Sequence, residues 1–136
     1  MATINRFEDI LVWKEARELY KLVFSLTCKE QFSRDFKLVG QIRSSTGSIM
    51  DNIAEGFERE GNKEFIQFLY ISKGSCGELK SQLYRALDSN YIDSSEFESI
   101  FIKAEEVSKQ LSTFIKYLKG SEIKGHKYKP QIPNPK

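Results

Sequence analysis

The sequence predicts an all-α fold, an antiparallel up-down-up-down four-helix bundle, and three observations carry that expectation. All three prolines, Pro130, Pro133 and Pro135, lie in the last seven of 136 positions. The preceding 129 residues therefore lack the one residue type that both removes a backbone donor and clashes with the helical turn before it. Four stretches place apolar residues at alternating three- and four-residue steps, the spacing that stacks side chains on one helix face. The breaks between them are about four to six residues, short enough to make successive helices antiparallel neighbours. A chain of this length holds one domain of ordinary size, about 150 residues.

Helix one is expected over about residues 6–29, with Trp13, Ala16, Tyr20, Val23 and Thr27 along its stripe and Leu19, Leu22 and Leu26 widening it. Asn5 and Glu8 have capping-box spacing, which starts this helix near Arg6. Helix two, about 34–58, is capped by Ser33 and carries Val39, Ile42, Thr46, Ile49, Ile53 and Phe57, with Gly56 and Gly61 bracketing its end. Helix three, about 63–89, opens at Asn62 and repeats Phe65, Leu69, Ser72, Cys76, Leu79, Leu83 and Ala86. Asp93 and Glu96 form a second capping box for helix four, about 94–119, whose seam is Phe97, Ile100, Ala104, Val107, Leu111, Phe114 and Leu118. Gly120 is its expected terminator. Residues 1–120 thus form the bundle and 121–136 a flexible basic tail.

Small residues cluster at Ser44-Ser45-Thr46-Gly47-Ser48 and at Ser72, Gly74, Ser75 and Gly77, which predicts a close crossing of helices two and three. Each interior glycine costs about 1 kcal/mol against alanine, so packing or a partner must compensate. Ile66, Phe68, Tyr70 and Ile71 give helix three more apolar surface than one bundle seam uses, the mark of a subunit interface. Cys28 and Cys76, too far apart on this layout to bridge, read as reduced packing residues.

The whole-chain charge is +2, too small to require a polyanionic partner, but it is unevenly placed. From Lys119 onward five lysines face one acid, Glu122, and that end could act as an arm on phosphates or simply as a solvated end. In helix two, Arg43, Asn52 and Glu55 lie on the apolar side and are expected to find partners on another helix or subunit, fixing register. Alternatively Arg43 joins Arg59 and Lys63 in a basic patch repeated around an oligomer.

Chemistry is hard to find. The single histidine, His126, lies in the tail, so no inward Glu-x-x-His pair, zinc spacing or activated nucleophile is available, and no glycine-rich phosphate loop follows a strand. The chain is therefore expected to be no enzyme, with no metal, no cofactor and no small-molecule substrate. The first residues lack a basic start and apolar run, and no segment reaches the roughly 18 apolar residues of a membrane span, so a cytoplasmic protein is expected.

Gln41-Ile42-Arg43, Ser48-Ile49, Asn52-Ile53-Ala54-Glu55-Gly56, Glu64-Phe65, Phe68-Leu69, Gly74-Ser75, Glu78-Leu79 and Gln82-Leu83 fall in one register. Together with Phe7-Glu8-Asp9 and Val12-Trp13-Lys14, they resemble the bacterial four-helix-bundle proteins encoded in intervening sequences of 23S ribosomal RNA genes, over about Phe7 to Leu118. Met50 and Asp51 stand where that family commonly has Pro and Ala. The resemblance marks Trp13, Gln41, Arg43, Asn52, Glu55, Gly56, Phe65, Gly74, Ser75 and Glu78 as framework positions. It implies a ring-like homopentamer without known enzymatic activity and with a proposed role in nucleic-acid binding. More distantly, the chain is similar to the accessory variability determinant of diversity-generating retroelements, which works with a reverse transcriptase and its RNA. The expected function is RNA or DNA binding by a homo-oligomer through Arg43, Arg59, Lys63, Lys124, Lys127 and Lys129. The alternative is a protein-interaction scaffold, such as an accessory subunit of a reverse transcriptase.

Overall fold

Four helices account for nearly all of the computed structural model, which describes residues 3–123 and 132–133, with side chains over 4–121. They are α1 (Leu11–Thr27), α2 (Phe36–Phe57), α3 (Asn62–Asp88) and α4 (Ser94–Ile123). Their apolar stripes close on one core, in which Leu19, Val23, Ile42, Ile49, Leu69, Leu79, Val107 and Leu111 are fully buried. As residue numbers rise along one helix they fall along its sequential neighbour: Tyr20 meets Gly47 and Thr27 meets Arg43, Gln41 meets Arg85 and Ser72 meets Ile49, Tyr84 meets Phe97 and Phe65 meets Phe114. The most extensively packed pair is α2 with α3.

The helix ends depart from expectation where tertiary contacts outweigh local signals. Helix α1 begins at Leu11, not near Arg6, because Phe7–Asp9 forms a 3-10 turn closed by Ile10 N–H on the Phe7 carbonyl at 2.9 Å. Ile10 is fully buried in extended conformation, and Phe7 packs edge-on against Trp13 at 5.1 Å, which holds that turn in place. Arg6 and Ile10, the residues that precede the turn and α1, make no side-chain cap bond, and the Asn5–Glu8 spacing does not start α1. Asp35, not Ser33, caps α2: its Oδ1 accepts from Leu38 N–H at 3.0 Å, whereas the Ser33 hydroxyl donates to the Glu30 carbonyl. The expected box at α4 is present in both directions, Glu96 N–H to Asp93 Oδ1 at 2.8 Å and Asp93 N–H to Glu96 Oε1 at 2.9 Å.

Helix α3 ends in a Schellman turn, with Asn90 left-handed (φ 63°), Tyr91 N–H on the Ala86 carbonyl and Asn90 N–H on the Leu87 carbonyl, each at 3.0 Å. Gly120 does not end α4; it takes no left-handed φ, and the helix continues to Ile123. Thr3–Ile4 pairs antiparallel with Ile132–Pro133, so part of the basic end returns to the N-terminal segment. Lys124, Lys127 and Lys129 lie outside the described residues.

The close crossing of α2 and α3 rests on one glycine. A Cβ at Gly56 would stand 2.7 Å from Phe68 Cβ and 2.9 Å from Phe65 Cδ1, whereas Gly74 and Gly77 look onto open space. The serines do their work as hydroxyls: Ser72 Oγ donates to the Ile49 carbonyl at 2.8 Å, Ser75 Oγ to Ser48 Oγ at 3.0 Å, and Ser45 bonds Gln82. Ile66, expected at an interface, is 7% exposed and belongs to the core. Its apolar neighbours differ: Tyr70 and Ile71 are 48% and 51% exposed. Among the described residues no helix is long and apolar enough to cross a membrane.

Candidate functional site

Arg43 leaves α2 toward α1, where the side chain is half-buried and occupied. Its Nε donates to Thr27 Oγ1 at 2.9 Å, and its guanidinium lies 4.2 Å from the centre of the Phe24 ring. Thr27 in turn donates to the Phe24 carbonyl at 2.7 Å, so Arg43 ties the last turn of α1 to the middle of α2. Asn52 and Glu55 need no second helix. Asn52 Nδ2 donates to the carbonyl and hydroxyl of Ser48, both at 2.8 Å, and Glu55 accepts from Arg59 Nη2 at 2.9 Å; each is a four-residue spacing that one helical turn brings together.

Arg59 also covers the Phe68 ring at 5.0 Å, whereas Lys63 is exposed and makes no ion pair among the described residues. Arg43 and Arg59 are sixteen residues apart, roughly 24 Å along a helix axis. The three basic groups therefore do not form one patch on a protomer. Of the remaining framework positions, Trp13 packs under Arg17 at 5.8 Å, Gln41 Oε1 accepts from Arg85 at 3.0 Å, and Phe65 sits in the core edge-on to Phe57 and Phe114.

Two open grooves flank α2. The one shared with α1 has a volume of about 820 Å³ and sets Arg17, Lys21 and Arg43 against Asp51 and Glu55. The one shared with α3, about 720 Å³, sets Lys37 and Arg85 against Glu78, over a floor of Gln41, Ser44, Ser48 and Gln82. At its mouth Phe36 is 83% exposed, the most exposed large apolar side chain among the described residues. The two loops at this end are locked together: Tyr91 OH donates to Asp35 Oδ2 at 2.9 Å, and the Tyr91 ring stacks on Phe32 at 5.2 Å. The Leu38 amide and then the Tyr91 hydroxyl hold the Asp35 carboxyl below its ordinary value, and that same bond raises Tyr91.

Sequence reasoning missed Phe36, Lys37 and Arg85, and counted Tyr84 only as part of the extra aromatic surface expected at a subunit interface. An aromatic at a helix start looks like one more seam residue until its exposure is known. Arg85 becomes visible only when α3 is laid beside Gln41. Cys76 is buried, and that burial pushes its thiol up to about 11, whereas Cys28 is exposed beside Arg43 and does not pack in the core as expected. Among the described residues no group of three or more His, Cys, Asp or Glu side chains is placed to hold a metal ion.

Residues 8–113 match the family model described as 23S rRNA-intervening sequence protein. The chain is also similar to a solved structure from Bacteroides thetaiotaomicron, described as a protein with unknown function from the S23 ribosomal protein family. The two share 27% identity with a TM-score of 0.72, over 78% of this chain and 99% of that one. No curated protein matches the chain significantly.

Proposed function

The chain belongs to the 23S rRNA-intervening sequence protein family, and from that premise we propose that it is a non-enzymatic, ring-like homo-oligomer of up-down-up-down bundles that binds RNA or DNA. A pentamer is the state the family resemblance suggests. The supporting observation is the pair of cation-bearing grooves that flank α2 along its length, each with one more basic than acidic side chain. A weak excess per protomer becomes a strong one when copies act together on one polyanion. The five lysines from Lys119 onward add to it.

The test is fluorescence anisotropy with labelled structured RNA and duplex DNA, over roughly 50 to 200 mM salt, where phosphate contacts give a steep log–log slope. Binding with such a slope, weakened and flattened by truncation after Ile123, is the expected result. No binding at low salt overturns the reading. The exposed Tyr70, Ile71 and Ile102 favour a second reading, a protein-interaction scaffold such as a reverse-transcriptase accessory subunit. Recovery of a stoichiometric protein partner after nuclease treatment would support it.

A further inference from the structure

We infer that the strip running from the mouth of the α2/α3 groove, over α3, to the aromatic cluster between α3 and α4 is a platform for single-stranded nucleic acid. Phe36 and Tyr84 stack bases there, while Lys37, Arg85 and Lys80 hold phosphates. This inference rests on the nucleic-acid reading above and narrows it to one surface and one class of ligand.

Among the described residues, Phe36 belongs neither to the core nor to the side chains packed against it. It is 83% exposed at the first position of α2, yet its backbone is fixed, because the preceding residue, Asp35, is held at one oxygen by Leu38 N–H and at the other by Tyr91. An aromatic ring on so rigid a base presents a face whose ordering cost on binding is confined to its own side-chain rotamers. Lys37 follows it directly, and Arg85 faces it across the groove with one guanidinium nitrogen on Gln41, leaving further N–H donors for an anion.

Next to Arg85 in sequence, and about 100° further round α3, Tyr84 is 52% exposed. Its ring is held against Phe97 at 4.8 Å and Phe101 at 5.7 Å, and Lys80 lies 5.6 Å over Phe101. Cations along a path with stacking rings between them are what single strands need, since every base offers a π-face and every nucleotide a phosphate. Glu78 and Asp88 are the exposed carboxylates on α3 beside the path, and they favour a ligand that touches the cations over one that blankets the whole surface. A duplex keeps its bases stacked internally and would meet only the lysines and arginine.

The experiment uses the full chain, labelled single-stranded RNA of mixed sequence, and its duplex. The single strand is expected to bind more tightly than the duplex. Phe36→Leu, a change at an exposed position, should weaken single-strand binding about 5- to 150-fold, the range of one base–aromatic stack, and leave duplex binding unchanged. Phe36→Trp should preserve it, and Arg85→Gln should lower the salt slope by about one. Salt-dependent binding that is indifferent to Phe36→Leu overturns the platform and leaves the broader nucleic-acid reading standing. A Phe36→Leu protein that sediments with altered subunit number overturns it too, in favour of a contact between copies of the chain. Absence of binding to either form at low salt overturns both readings.

Discussion

A methyl group at position 56 would fall 2.7 Å from Phe68 Cβ and 2.9 Å from Phe65 Cδ1, and Phe68 Cβ is held by its own backbone. Gly56→Ala is therefore expected to cost about 1–3 kcal/mol, the usual range for overpacking, read as a lower midpoint in urea unfolding at unchanged slope. Asn90 is legible in a different way. Its left-handed φ of 63° suits asparagine or glycine, so Asn90→Ala should lose about 1 kcal/mol in the same assay while Asn90→Gly loses nothing. Arg43 shows why a candidate site residue was only half readable. Its type and its need for a partner were visible in the sequence, but the partners, Thr27 and the Phe24 face, belong to α1. Arg43→Met should cost about 1–2 kcal/mol of stability through the lost hydrogen bond and ring contact.

Among the elements, α4 has the best-marked start, because Glu96 does two jobs. It closes the capping box with Asp93 and receives Lys29 Nζ at 2.6 and 2.8 Å, which pins the end of α1 to the beginning of α4. The Lys29 bond first, then the Asp93 amide, lowers the Glu96 carboxyl, and Asp35 is lowered by its own cap. A carboxyl whose folded value lies below its unfolded value contributes stability above about pH 4, the unfolded value, and loses it as pH falls through the folded one. Unfolding followed across an acid series should show stability falling below about pH 4, and the Asp35→Asn, Glu96→Gln double variant should flatten that limb. Tyr91 works in the other direction: its raised value contributes stability below about pH 10 that is lost as pH climbs through the folded value. The 3-4 periodicity located all four helices because each has a buried stripe. Their ends were less legible: burial of Ile10 decided the start of α1, and an Asp-for-Ser choice of cap decided the start of α2.

Over the whole molecule, apolar surface was read better as an amount than as a location. The excess assigned to α3 exists, but Ile66 turns into the core while Tyr70 and Tyr84 turn outward. One position around a helix is about 100°, and a broad stripe leaves its edge residues undetermined until neighbours are packed. The same limit hid the grooves beside α2, which are made by pairs of helices and by no single segment. Basic residues followed suit: Arg59 was marked for a ligand, yet Glu55 and Phe68 already engage it.

Gly74 and Gly77 sit in the middle of the 27-residue α3 with nothing beside them, although α2 packs tightly a few turns away at Gly56. Each weakens the helix by about 1 kcal/mol relative to alanine without a contact inside the protomer to offset it. The outward face at the centre of α3 should accordingly be more open than its buried face, with the amides of Gly74 and Gly77 trading hydrogen for deuterium sooner than those of Leu83 and Ala86. A ligand or neighbouring subunit that lay across this stretch would announce itself as slowed exchange there, before any density or footprint had been obtained.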